Sequence, residues 1–227
     1  MITTVIFDMD DTLYDEVEYC KSGFRAVAEF IENPAKTPSA EHIFNAFWAQ
    51  FTAGNRAKVF NTALEQLGIN CDKDFIIEMV KVYRNHEPQI TLPEDSRDVL
   101  EQLSKKYKLA LLTDGFLPAQ QLKVQALKIE KYFECIVYTE QLGREFWKPS
   151  PVGFEKIIKN LNVKSQTVVY VADNAKKDFI APNKLGFFSI QLTRPGRIHT
   201  APPPAPDGKP NHVINKIIKL PELLEKL

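Results

Sequence analysis

The segment Asp8-Met9-Asp10-Asp11-Thr12-Leu13 sets two carboxylates, Asp8 and Asp10, two residues apart directly after the apolar run Thr3-Thr4-Val5-Ile6-Phe7. Where a chain turns at the end of such a run, both can aim at one point. One can attack as a nucleophile while the other moves protons. Directed at phosphorus, attack by Asp8 would give an aspartyl phosphate. Asp10 would protonate the leaving alkoxide and then deprotonate the water that clears the intermediate. Other polar residues stand at the ends of similar runs: Thr113 and Asp114 close KLALLT, and Asp173-Asn174 follows TVVYVA. A lone aspartate in such a place often does no more than cap a helix. That is the plainer reading of the Asp114 side chain, but it does not account for the paired Asp8 and Asp10.

These residues need elements that bring them together. Residues 3–7, 108–113, 135–139 and 167–172, with a weaker run at 187–192, are rich in β-branched and apolar side chains. Such runs fit strands buried on both faces, as in a parallel sheet. Between them, Leu100, Leu103 and Tyr107 recur at helical spacing. So do Leu122, Gln125, Ala126 and Ile129, and Phe154, Ile157, Ile158 and Leu161. Strands alternating with helices predict an α/β fold with a Rossmann-like, doubly wound parallel sheet. Ligands bind beyond the carboxyl ends of the strands in such sheets, where Asp8, Thr113 and Asp173 fall.

Residues 16–88 carry no convincing strand and read as an inserted all-α unit, leaving 1–15 and 89–227 as the α/β core. Four apolar faces are visible: Phe24, Val27, Ala28 and Ile31; Ile43, Phe44, Phe47, Trp48 and Phe51; Val59, Ala63, Leu64 and Leu67; and Phe75, Ile76, Met79, Val80 and Tyr83. Asn33-Pro34, Thr37-Pro38, Gly54-Asn55 and Gly68-Ile69-Asn70 punctuate them, and Pro88 and Pro93 bracket the return. Residues 201–210, APPPAPDGKP, read as an extended proline-rich surface loop. The tail beyond it has room for an edge strand and a short helix.

Twenty-nine Lys plus Arg balance 29 Asp plus Glu, so no electrostatic footprint for nucleic acid or an anionic membrane is present. Cys20, Cys71 and Cys135 are odd in number and widely spaced, which argues against a disulfide framework or zinc site. The chain shows no apolar run of membrane-spanning length and no signal-peptide pattern, so a cytoplasmic location is expected.

The chain resembles the haloacid dehalogenase-like hydrolase superfamily. Four motifs appear in that family's order: Asp8, Asp10 and Thr12 in DxDxT; Thr113 in LLTDG; Lys148 in Trp147-Lys148-Pro149; and Asp173 with Asp178 in VADNAKKDF. The insert at 16–88 matches the family's helical cap. The resemblance implies a Mg²⁺-dependent phosphatase acting on a small phosphate ester. Asp8 would be nucleophile and metal ligand. Asp10 would be general acid/base, with its backbone carbonyl on the metal. Asp173 and Asp178 would complete the Mg²⁺ site, where hard oxygen donors suit the ion. Thr113, Lys148 and nearby backbone N–H groups, Asp114 among them, would hold the phosphoryl oxygens. Without Lys148 and the metal, the carboxylates and phosphate would repel; one pair at ~4 Å costs about 4 kcal/mol at an effective dielectric of ~20. Two departures from the family stand out: Ala172 where relatives often have glycine, and Leu92-Pro93-Glu94-Asp95 where many have Pro-Gly.

A phosphomutase would need the same core residues. A dehalogenase would need neither Asp10 nor the pair Asp173 and Asp178. A non-catalytic copy would be expected to have lost a matched residue. A cap of this size favours a small ester, with a nucleoside monophosphate or sugar phosphate preferred by the resemblance. Arg56, Tyr14, Glu16, His86 and His199 are candidates for substrate contact, each with a structural role as the plainer alternative. Oligomeric state is not legible.

Overall fold

A computed structural model describes residues 1–33 and 35–227; Pro34, half of the expected Asn33-Pro34 break, lies outside the described residues. The runs of branched apolar residues form strands β1 (Thr4–Phe7), β2 (Lys108–Thr113), β3 (Cys135–Tyr138), β4 (Val168–Ala172) and β5 (Phe188–Leu192), with a short β6 (His212–Ile214) from the tail. All pair in parallel, in the order β3-β2-β1-β4-β5-β6. β1 is therefore central, with Phe7 level with Leu111 on one side and Val171 on the other. The strand order reverses between β1 and β4, the point at which such sheets open a crevice for ligands.

Both faces of the sheet are dry. Ile6, Ala110, Leu112, Val168 and Tyr170 pack with Phe154, Ile157 and Leu161, which lie on one side of helix α7 (Val152–Leu161). Alternate residues Val5, Phe7, Leu109, Leu111, Val169 and Val171 are equally buried. Burial of both sets explains why these strands read as continuous apolar runs instead of alternating ones.

The chain divides into two compact units, Met1–Val17 with Thr91–Leu227, and Glu18–Ile90. Helix α1 (Glu16–Ile31), from Glu18 onward, and helices α2 (Ala40–Thr52), α3 (Val59–Gln66) and α4 (Lys73–Asn85) supply the second. Ser39 and Asp72 accept from the amides of His42 and Phe75 and so start α2 and α4. Phe24 is the hub of this unit, with ring centroids 5.6–6.1 Å from Phe47, Phe51, Phe60 and Tyr83.

In the first unit, helix α5 (Glu94–Leu103) precedes β2, α6 (Ala119–Leu127) follows it, α8 (Ile180–Leu185) follows β4, and α9 (Leu220–Leu224) closes the tail. One expectation fails here. The buried side of α6 is Gln120, Lys123, Val124 and Leu127, whereas Leu122 and Ala126 are half-buried, Gln125 is exposed and Ile129 lies past the helix end. The helix is turned toward its polar residues because they have partners inside the protein. The proline-rich segment is mostly exposed, but Asn183 donates to the Asp207 and Lys209 carbonyls at 2.8 and 2.7 Å and ties it to α8. Among the described residues, no helix is long and apolar enough to cross a membrane.

Candidate active site

The first three residues of the site come from strand ends. The Asp8 amide donates to the Val171 carbonyl at 2.9 Å, which extends the β1–β4 ladder and fixes the backbone of Asp8. Asp173 follows β4 and Thr113 ends β2. Asp178 belongs to the turn beyond, where its Oδ2 accepts from the Asn174 amide at 2.9 Å. Asp8, Asp173 and Asp178 are all buried, and one oxygen of each lies within 4.8 Å of the others.

Lys148 enters this cluster from the segment before α7. Its Nζ is 2.8 Å from Asp8 Oδ1, 2.9 Å from Asp178 Oδ1 and 3.1 Å from the Tyr170 hydroxyl. Burial works against the Lys148 ammonium, but Asp178 and Asp8 outweigh it and hold the group protonated. One cation does not balance three carboxylates. Burial, then the neighbouring Asp178, pushes Asp173 up to about 9, and burial pushes Asp8 up to about 6 despite Lys148. Asp173 Oδ2 is buried without a hydrogen-bond partner, although an unpaired buried acceptor is costly. A divalent cation held by hard oxygens would satisfy this oxygen and lower both values, so the residues present fit such an ion.

Asp10 is held apart from this trio. Lys123 Nζ lies 2.8 Å from its Oδ1, Gln120 Nε2 lies 2.9 Å from its Oδ2, and the Tyr14 hydroxyl also donates to Oδ1. Burial raises the Asp10 carboxyl, but the charge of Lys123 and these hydrogen bonds bring it below the usual carboxylate range. Gln120 Nε2 is also 2.7 Å from Thr113 Oγ1 and 2.7 Å from the Asp114 carbonyl, linking Asp10 to the end of β2.

The Asp114 side chain does not cap α6, which has no side-chain cap. Its Oδ2 pairs with Lys177 at 2.8 Å, and its Oδ1 accepts from Thr139 and from the Lys148 amide. The expected capping role is thus replaced by one that joins three segments of the site. A cavity of about 80 Å³ is lined by Asp8, Asp10, Asp114 and Asp173, together with Glu16, Asn174, Lys177 and His199.

Of the other candidates, Tyr14 touches Asp10, and Glu16 and His199 line the cavity. Arg56 lies 3.6 Å over the Phe51 ring, and His86 is held by the Tyr83 carbonyl and Ser22, so both are engaged within the helical unit. Trp147 donates to Glu140 and packs on Phe116. The sequence reading missed Gln120, Lys123 and Lys177. Each reads as a solvated polar residue, and only the three-residue spacing of Gln120 and Lys123 hints that they share a helix face.

The pattern of the haloacid dehalogenase-like hydrolase family matches residues 5–191, and the chain belongs to that family. It is a hydrolase of the haloacid dehalogenase-like type, with a helical insertion between the first two strands. It is similar to the glyceraldehyde 3-phosphate phosphatase of Methanopyrus kandleri, 27% identical over 100% of this chain and 99% of that protein. The N-acylneuraminate-9-phosphatase of Rattus norvegicus is 23% identical, over 100% and 95%. Among solved structures, the magnesium-bound HAD-hydrolase YfnB of Bacillus subtilis shares the fold, with a TM-score of 0.71 at 18% identity over 98% of each chain.

Proposed function

We propose that this chain is a Mg²⁺-dependent phosphatase of small phosphorylated metabolites. The observation that carries this reading is the buried trio Asp8, Asp173 and Asp178, with one oxygen of Asp173 unpartnered and Lys148 supplying only part of the needed charge. Asp8, Asp173 and Asp178, with the Asp10 backbone carbonyl, would hold Mg²⁺. The bound ion would neutralise the carboxylates and the transferring phosphoryl group.

Asp8 attacks phosphorus, the bond to the leaving oxygen breaks, and Asp10, which must carry a proton in the substrate complex, gives that proton to the leaving oxygen. Water then attacks the aspartyl phosphate and passes a proton to Asp10, which frees inorganic phosphate and Asp8. Lys148, Thr113 and the Asp114 amide position the phosphoryl oxygens, so that catalysis is mostly orientation and fixed charge. The unit Glu18–Ile90 serves as the cap that contributes specificity. Both named relatives act on phosphorylated sugars or sugar acids, which supports a sugar phosphate over a nucleoside monophosphate. A reducing, cytoplasmic setting suits three free cysteines.

The test is phosphate release from a panel of phosphorylated metabolites and p-nitrophenyl phosphate, with wild type and Asp8→Asn side by side in Mg²⁺ and in excess chelator. Wild-type activity that falls by several orders of magnitude in Asp8→Asn and disappears with chelator is expected. Turnover that survives either treatment would overturn the reading.

A further inference from the structure

Lys177 lines the cavity of about 80 Å³ beside Asp8 and Asp10, and the chemistry above leaves it unused. Asp8, Asp10, Glu16, Asp114 and Asp173 put five carboxyl groups on that wall, and among the described residues that line it Lys177 is the only one with a fixed positive charge. A phosphate dianion entering there meets a surplus of negative charge, so each cation within reach matters. The two other lysines of the site are committed to protein oxygens. Lys123 is paired with Asp10 at 2.8 Å, and its side chain is 5% exposed. Lys148 Nζ stands 2.8–3.1 Å from Asp8 Oδ1, Asp178 Oδ1 and the Tyr170 hydroxyl, three oxygens for three ammonium protons, and its side chain is 1% exposed. Lys148 thus lends a phosphoryl group its charge, while its N–H bonds are directed at the protein and orient Asp8.

Lys177 differs on both counts. Its side chain is 32% exposed, and its Nζ has one partner among the described residues, Asp114 Oδ2 at 2.8 Å. An ammonium has three protons, so two remain to meet an anion in the cavity. Asp114 is a firm anchor for it. That carboxylate is 4% exposed, and its Oδ1 accepts from Thr139 Oγ1 at 2.9 Å and from the Lys148 amide at 3.2 Å. The ammonium also acts on the nucleophile: burial raises the Asp8 carboxyl, and Lys177 joins Lys148 in opposing that rise. Chain position accounts for the placement. Lys177 directly precedes Asp178 in the turn after β4, where the Lys177 amide donates to the Asn174 carbonyl at 3.1 Å and Asp178 Oδ2 accepts from the Asn174 amide. The turn that brings Asp178 into the acidic trio therefore brings an ammonium to the cavity wall.

We infer that Lys177 is the side-chain cation that donates to the phosphoryl oxygens of the substrate, and that the Asp114 carboxylate is the positioning group that aims it. This rests on the phosphatase reading and deepens it. The test is competitive inhibition of p-nitrophenyl phosphate turnover by inorganic phosphate at saturating Mg²⁺, because Ki does not depend on how much of a preparation folds. The decisive comparison is Asp114→Asn against Asp114→Asn/Lys177→Met, since neither leaves a buried Asp114 carboxylate without its cation. The double variant is expected to bind phosphate about tenfold or more weakly than Asp114→Asn, the scale of a charge-assisted hydrogen bond. Calorimetric titration of inorganic phosphate in Mg²⁺ reads the same ratio where turnover is too slow to follow. Equal phosphate affinities in the two variants, with an active wild type, would mean that Lys177 does no more than neutralise Asp114, and would overturn this inference alone. A wild type inactive on p-nitrophenyl phosphate and on the metabolite panel overturns the phosphatase reading and the role of Lys177 with it.

Discussion

Asp10 stands apart from the trio Asp8, Asp173 and Asp178, and three side chains fix its carboxylate. Lys123, Gln120 and Tyr14 hold it, and Lys123 is itself 4% exposed. Burial alone would push this carboxyl up, and the Lys123 ammonium reverses the direction. Replacing Lys123 with Met keeps most of the volume and removes the charge, so the Asp10 carboxyl must rise. The limb of the pH–kcat/KM profile that Asp10 governs should therefore move to higher pH, whichever proton transfer limits the rate. A limb that stays in place, or moves to lower pH, would remove Lys123 as the partner that sets Asp10. A calorimetric or denaturant series would show a stability loss alongside it, on the order of 3–5 kcal/mol, the usual cost of breaking a buried ion pair by removing one partner.

At the scale of elements, what was legible in the sequence and what was not divides by chemistry. The strands could be read because Val168 to Ala172 and Thr4 to Phe7 are buried on both faces and show as unbroken apolar runs. The seven motif residues were legible because each stands at a strand end or in the loop beyond it. Helix α6 was misread because its buried face includes an amide and an ammonium, and periodicity analysis assigns such groups to solvent. The Asp114 side chain was misread for a related reason: its true partners, Lys177 and Thr139, come from distant segments that no local pattern reveals.

The approach to α6 makes a separate prediction. Gly115 has φ +141°, and a Cβ there would lie 2.8 Å from Gln120 Cδ. Gly115→Ala should therefore displace Gln120 from Asp10 and Thr113 and lower kcat/KM in the same way as Gln120→Ala. The double variant should lose little more than either single change. Full additivity in that cycle would show that the two act separately.

For the whole molecule, the acidic trio ties stability to pH and to cations. Asp173 titrates near 9 and Asp8 near 6 in the folded protein, against an ordinary value of 3.8 for each. Both values are raised, so the folded form binds protons more tightly than the unfolded chain. The contribution of these two carboxyls to stability without a cation is fully present below the ordinary value and is lost as pH rises through about 6 and then about 9. An ion that binds only the folded form offsets this loss, by about 2.7 kcal/mol at ~100 times its Kd. The gain in Tm on adding Mg²⁺ should be larger at pH 8 than at pH 5. An equal gain at both, or none, would separate the trio from cation binding.

The central place of β1 has a consequence for synthesis. Thr4–Phe7 leaves the ribosome ahead of the two strands that flank it, β2 at Lys108–Thr113 and β4 at Val168–Ala172. Until both arrive, a largely apolar segment has two open edges, an arrangement prone to wrong pairing. The helical unit Glu18–Ile90 is translated in that interval and depends on local contacts, so it can fold first. The nucleophile of the proposed reaction is thus made before both strands that flank it and is enclosed only once they arrive.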